Sequence, residues 1–440
     1  MNSESNLVRS LDLRGQIISQ AVVDALLPRA EFDIDDALEA IKPLLADVKA
    51  HGLLALQAAA QKFDQVDPNP IQVSAQELTT ALDELSPKLR AALEVAIERV
   101  RAVALANLPL ETSTNVAKNA LIRQRWQPID AVGLYVPGGK AVYPSSVVMN
   151  VVPAQVAGVK QIVLCSPPQK AFGGRPHPVV LAAAALLGIE RVFNIGGPAA
   201  IAAMAFGIAE LGLEPVSLIT GPGNAYVAAA KRVVRSRVGI DSEAGPTEIM
   251  ILADKQANAR FIAADLISQA EHDEHAAAVL VTPSATLMSQ VQTELTAQVA
   301  GSANETRIRA ALSARQSAIV LVDDVDAAIT VANCYATEHL ELQLADNEAA
   351  LEQISNAGAI FIGDHSPVSL GDYLAGSNHV LPTSGHAKFS SALGVHTFLR
   401  PQQVISYDRD ALSEVATSLI ALANAEALDA HGEAVAKRFE

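Results

Sequence analysis

Thiols, aromatic rings and basic clusters are scarce in this chain, and each scarcity removes a class of function. Cys165 and Cys334 are the two cysteines among 440 residues. One sits in an apolar strand-like run and the other in a helix-like run, so a disulfide framework and a thiolate zinc cage lack support and two core thiols are expected. Acidic residues outnumber basic ones, 48 against 32, for a formal charge of −16 and a pI near 5.1. With no basic block against that charge, neither nucleic acid nor an anionic membrane surface is a fitting partner. No unbroken apolar run reaches the roughly 18 residues of a membrane span, and residues 1–16 hold no positive segment leading into an apolar stretch. The expected location is the cytoplasm. H-E-x-x-H and G-x-S-x-G are absent too, which leaves zincin and α/β-hydrolase chemistry without support.

What is abundant is small aliphatic bulk. The chain is 50% hydrophobic but only 4% aromatic, a balance that suits helices stacked on parallel strands, with length enough for two or more cores. Residues 33–63 and 87–108 carry apolar residues at helical spacing, separated by a polar, Pro-containing stretch near 67–72. After Trp126 the pattern changes. Short β-branched runs at 131–136, 161–165, 191–195 and 216–220 alternate with Ala-rich helical runs at 146–158, 178–187, 199–208 and 225–238. That alternation predicts a parallel sheet covered on both faces. A second alternation follows, with strands at 248–252, 277–282, 317–322, 340–344 and 359–362 and helices at 257–272, 285–299, 326–336 and 348–355. Residues 363–401 show little periodicity and many Gly, Ser, Pro and His, the kind of long irregular stretch that carries function. A helical module at 410–439 ends the chain. The expected fold is α/β, two Rossmann-like parallel-sheet domains with a small helical C-terminal module.

Several polar groupings stand out against this background. Gln269 and His272 lie three apart near the end of the predicted 257–272 helix, on one face of adjacent turns, a spacing that suits two ligands on one borderline divalent cation. A polar helix C-terminus with His272 near the negative dipole end explains the same residues. Thr337-Glu338-His339-Leu340 joins a helix to a strand, where an imidazole could remove a proton and a carboxylate activate water, or where a helix could merely end in charge. Val136-Pro137-Gly138-Gly139 and Gly221-Pro222-Gly223-Asn224 each close a predicted strand before a helix, where exposed amides can receive a phosphate. Either could be only a turn; their repetition in one unit favours a nucleotide cleft. Asp372 and His379 lie in the irregular stretch, and Glu426 and His431 on the terminal helices.

Taken in order, these motifs resemble the histidinol dehydrogenase family over residues 25–433. The resemblance rests on GLYVPGG at 133–139, GPGN at 221–224, AGPTE at 244–248, SQAEH at 268–272, TEHLEL at 337–342, GDY at 371–373 and NHVLPT at 378–383. It implies oxidation of L-histidinol to L-histidine through histidinal, with two NAD molecules and one zinc ion per subunit. On this chain it implies Gln269, His272, Asp372 and His431 as zinc ligands, His339 as the base that takes the alcohol proton, and Glu338 as the residue that activates water against the aldehyde. Thr247, Glu426 and His431 match substrate-contacting positions, beside Gln269, His272, His339 and Asp372; Tyr135 and Asn224 match dinucleotide-contacting ones. Where relatives have Gln in a GGAQA run, this chain reads Gly196-Gly197-Pro198-Ala199-Ala200, so Ala199 cannot supply that amide. The resemblance further implies an intertwined homodimer in which Glu426 and His431 serve the partner's site. The expected division is an N-terminal arm (1–25), a discontinuous α/β domain (26–129 plus 248–380) with the metal and catalytic residues, an NAD-binding α/β domain (130–247), and a C-terminal extension (381–440) reaching the partner.

Three other readings compete. A relative that oxidises another small alcohol with zinc and NAD would share most of the motifs. A binding protein with its ligand between the two α/β units would need neither Glu338 nor His339 at that position. A zinc hydrolase would work without a dinucleotide.

Overall fold

Uninterrupted aliphatic runs form the central strands of this chain, because strands covered by helices on both faces need no polar side. The computed structural model describes residues 6–30, 34–138, 142–243 and 245–440. Asp33, Gly139 and Ala244, which belong to stretches singled out above, lie outside the described residues. In chain order the strands are β1 (Ser10–Asp12), β2 (Thr112–Ala117), β3 (Ala120–Pro128), β4 (Ala131–Tyr135), β5 (Gln161–Ser166), β6 (Val192–Asn194), β7 (Leu218–Thr220), β8 (Gly239–Ile240), β9 (Glu248–Ala253), β10 (Ala277–Thr282), β11 (Ala318–Leu321), β12 (His339–Gln343), β13 (Ala359–Ile362) and β14 (Leu399–Tyr407).

These strands make two parallel sheets and one antiparallel ribbon. The larger sheet has six strands in the order β1-β11-β10-β9-β12-β13, and the smaller has five in the order β6-β5-β4-β7-β8. All of their pairings are parallel. Every residue of β9 and β10 is buried, as the sequences EIMILA and AAVLVT require. Helices Ala259–Ala270, Ala285–Val299 and Glu305–Ser313 cover one face of the larger sheet, and helices Gln20–Leu26 and Val325–Tyr335 the other. On the smaller sheet, helices Pro144–Ala157 and Pro178–Leu186 cover one face while Gly197–Phe206 and Ala225–Val234 cover the opposite one.

The expected α/β architecture with a helical end is present, and several boundaries differ for identifiable reasons. The helical entry region packs on the smaller sheet's unit. Helix Ile34–His51 lies against Gly197–Phe206 and Ala225–Val234, Ala75–Asp83 against Pro178–Leu186, and Pro87–Ala106 against Pro144–Ala157. This packing does not match the expected grouping of 26–129 with 248–380. The helical spacing over 33–63 is divided at Gly52, whose φ of 50° and ψ of −119° no helix contains. The segment expected as an N-terminal arm supplies edge strand β1, paired with β11. An antiparallel sheet in the order β14-β3-β2 was not predicted; β3 pairs with β2 across a turn at Asn119 (φ 60°) and with β14 from the far end of the chain. Cys165 is buried as expected, but Cys334 is only half-buried, so the chain has one core thiol rather than two. No helix among the described residues is long and apolar enough to cross a membrane.

Candidate functional site

The topology of the smaller sheet creates a crevice. Successive strands β4, β5 and β6 step outward with their helices on one face; the chain then returns past β4 to β7 with its helices on the opposite face. The order therefore reverses between β4 and β7, the place where open parallel sheets receive ligands. Both glycine-bearing turns singled out above start there. Gly221 has φ of +115°, and a Cβ on it would lie 2.0 Å from the carbonyl oxygen of Tyr135, so only glycine lets the two turns meet. Asn224 caps helix Ala225–Val234, its Oδ1 accepting from the amides of Tyr226 at 3.1 Å and Val227 at 3.2 Å. Tyr135 is buried, and its hydroxyl oxygen accepts from the amide of Gly197 at 3.0 Å. Ala199 is buried in the adjoining helix.

The larger sheet contributes its opposite, amino-terminal edge. Thr247 immediately precedes β9 and Glu338 immediately precedes β12, strands that pair with Ile249 opposite His339. Helix Val325–Tyr335 stops at Ala336, which takes a left-handed conformation (φ 52°, ψ 62°) and turns the chain directly into Thr337-Glu338-His339. The hydroxyl of Thr247 donates to Glu338 Oε2 at 2.5 Å, and the Glu248 amide donates to the same oxygen at 2.9 Å. Burial pushes the Glu338 carboxyl up to about 8, against the opposing pull of these two donors. The His339 ring is also buried, which lowers its pKa and keeps it neutral. Its Nδ1 donates to the Glu248 carbonyl at 3.0 Å, leaving Nε2 with a free lone pair.

Gln269 and His272 meet this pair from the side. Helix Ala259–Ala270 ends two residues earlier than predicted, but His272 stays close to its last turn, its N–H donating a hydrogen bond to the Gln269 carbonyl at 3.2 Å. Gln269 Nε2 donates to Thr247 Oγ1 at 2.5 Å. Its Oε1 is buried without a partner, an arrangement that calls for a ligand. His272 Nδ1 lies 3.0 Å from the Ser268 carbonyl, and its Nε2 lies 4.0 Å from Asp372 Oδ2. Asp372 comes from the short helix Val368–Tyr373. The His272 imidazole and the Asp372 carboxylate thus approach one another, and Gln269, one turn back from His272, adds an unpartnered amide oxygen, donor types that suit a borderline divalent ion. Among the described residues, no group of three or more His, Cys, Asp or Glu is placed to hold a metal ion. Glu426 and His431 lie exposed on helices Arg409–Ala425 and Asp429–Ala436, or at their ends, and among the described residues no side-chain hydrogen bond joins them to this cluster.

Two further residues bear on the site: His379, singled out with Asp372 in the irregular stretch, and Arg29, which no motif had marked. His379 Nδ1 bonds the Asp372 carbonyl at 2.9 Å and its Nε2 meets Ser146 Oγ at 3.1 Å, so one half-buried ring links the larger sheet's site to the helix that follows β4. Arg29 pairs with Glu248, donates to the Tyr335 carbonyl and stacks 4.1 Å over the Tyr335 ring. A lone arginine between two predicted segments carries no sequence signal for that role.

Titratable groups at the amino edge of one parallel sheet, joined through His379 to the carboxyl edge of another, give this two-sheet α/β protein a polar cluster of the kind that enzymes carry. Comparison with known proteins narrows the class. The family model described as histidinol dehydrogenase matches residues 27–439. Histidinol dehydrogenases of Leifsonia xyli and Thermobifida fusca are 57% and 55% identical, covering 98% and 99% of this chain and 99% and 98% of their own. The crystal structure of histidinol dehydrogenase from Elizabethkingia anophelis superposes with a TM-score of 0.93 at 31% identity, covering 99% of each chain. The chain belongs to the histidinol dehydrogenase family and is an oxidoreductase of histidine biosynthesis.

Proposed function

We propose that this chain oxidises L-histidinol to L-histidine by way of histidinal, in a cytoplasmic homodimer with one zinc ion per subunit and NAD as acceptor. The observation that carries the metal part of this reading is the Gln269 amide: its nitrogen is committed to Thr247 while its buried oxygen has no partner. Gln269, His272 and Asp372 would hold the ion together with His431 of the second copy, and the exposure of Glu426 and His431 suits residues that complete a neighbour's site. When bound, zinc fixes the imidazole and amine of the substrate, and NAD accepts the hydride of each oxidation.

The remaining work falls to this chain's own side chains. His339, neutral and with Nε2 free, takes the proton of the alcohol as the carbon loses its hydride equivalent, giving the aldehyde. Glu338, oriented by Thr247 and by the Glu248 amide, takes a proton from the water that adds to the aldehyde. The hydrate then loses its own C–H hydrogen with its electron pair, and the carboxylate results. Thr247, Glu426 and His431 orient the substrate, and enclosure protects the aldehyde between steps. Tyr135 and Asn224 hold the crevice turns against the dinucleotide, a supporting role that fits their commitment to Gly197 and to the helix cap.

The test is histidinol-dependent NADH formation, followed before chelation, after it, and after zinc is restored. The reading expects activity, its loss and its return. NADH from another small alcohol with none from histidinol would replace the substrate, and turnover without NAD would remove the dehydrogenase mechanism.

A further inference from the structure

One buried ion pair sits beneath the crevice of the smaller sheet and takes no part in the chemistry above. Lys231 and Asp241 have side chains only 3% and 5% exposed. Lys231 lies on helix Ala225–Val234, the helix that starts at the Gly221-Asn224 turn. Its Nζ reaches back to donate to the Gly221 carbonyl at 2.5 Å and to Asp241 Oδ1 at 2.6 Å. Asp241 Oδ2 accepts from the Gly221 amide at 2.8 Å, and Oδ1 accepts from the Ser242 amide at 2.7 Å. The pair therefore grips Gly221 by its N–H and its C=O, on the one residue whose conformation lets the β7 turn touch the β4 turn. Asp241 also begins the crossover that leaves β8 and arrives at Thr247, with Gly245 tied to Thr383 on the way.

We propose that the Lys231–Asp241 pair is a positioning device for the dinucleotide, which fixes the Gly221 peptide groups beneath the pyrophosphate and ties that turn to the crossover carrying Thr247. The inference rests on the reading of the β4/β7 crevice as the NAD site. A buried ion pair is at best a weak stabiliser compared with apolar residues of similar volume. Its geometry, not its energy, is what apolar residues could not replace. Two of these four hydrogen bonds hold Gly221 itself, and its turn stands where a ligand phosphate approaches backbone amides.

The experiment uses the full-length, zinc-loaded protein. NADH affinity is read by titrating the cofactor's own fluorescence, alongside zinc content, thermal midpoint and the KM for histidinol. Lys231→Met and Asp241→Asn are each expected to weaken NADH binding about tenfold or more, with the histidinol KM within about twofold of the parent. The double variant Lys231→Met with Asp241→Leu removes both charges, so its fold is not burdened by an unpaired ion. It is expected to keep its thermal midpoint and still bind NADH weakly. Parental NADH affinity in the double variant would reduce the pair to a structural role and overturn the proposal. Tyr226→Glu separates the two readings, because it places a negative charge at the exposed first turn of the same helix. Weak NADH binding in Tyr226→Glu together with parental binding in the Lys231 and Asp241 variants would sink the positioning role alone. Parental binding in all of them would remove the crevice itself.

Discussion

Thr247 donates its hydroxyl proton to Glu338 at 2.5 Å while receiving one from the Gln269 amide at 2.5 Å. One hydroxyl thus orients both an amide oxygen suited to a cation and a carboxylate suited to a base. Thr247→Val keeps the shape and removes both bonds, so it is expected to lower zinc affinity by roughly 10- to 100-fold, the usual effect of losing a ligand's outer partner. Thr247→Ser is expected to restore it. Competition with a chromogenic chelator measures both, and unchanged zinc affinity in Thr247→Val would separate Gln269 from the metal.

The two oxidations should divide between neighbouring residues. His339→Asn is expected to leave zinc content near that of the parent and to slow alcohol oxidation by on the order of 100-fold or more. Glu338→Gln should slow chiefly the oxidation of supplied histidinal. Single-turnover NADH formation from each substrate distinguishes them, and identical partial reactions for the two variants would refute the division. Because burial holds the Glu338 carboxyl up to about 8, aldehyde oxidation should rise with pH through that value. The ionised form is the one that takes a proton from water.

The Asp265 and Glu341 carboxyls predict how stability responds to pH. Burial raises the Asp265 carboxyl to about 6, and burial together with the charge of Asp265 raises that of Glu341 to about 9. Glu341 also accepts from Gln343 at 3.0 Å. In the folded chain these groups keep protons that the unfolded chain has released above about 4, so the unfolded state binds fewer protons and stability falls as pH rises from there toward 9. Glu341→Gln should flatten that fall and raise the thermal midpoint at pH 9. A midpoint below the parent's at that pH would show that the carboxyl is needed for more than its proton.

Shared sites make a quantitative prediction about mixtures. His272→Ala and His431→Ala should each be inactive alone. If His431 serves the second copy, refolding the two together in equal amounts yields hybrid dimers with one intact site, and roughly a quarter of the parent activity returns. No recovery in a mixture shown to contain hybrids would place His431 in its own subunit's site, or in neither.

The sheets were legible because their strands are apolar on both faces. Strands β10 and β13 and the helix Ala285–Val299 fall where aliphatic periodicity puts them. Strand β3 escaped notice because its outward residues, Arg123 and Arg125, alternate with half-buried ones in a ribbon that covers little core, and its partner β14 is remote in sequence. Strand β1 is too short to show a period. At the site, Glu338 and His339 stood out as adjacent titratable groups. Arg29, Lys231 and Asp241 did not, because a buried charge looks like a surface one until the groups that neutralise it are brought beside it by folding.

The pairing of Ser10 with Ile319 and of Asp12 with Leu321 sets an order on biosynthesis. During translation the opening residues leave the ribosome long before their neighbouring strand does, and they wait as an unpaired edge until most of the polypeptide has followed. A bulky fusion attached ahead of residue 10 would burden that wait and is expected to lower the yield of folded protein.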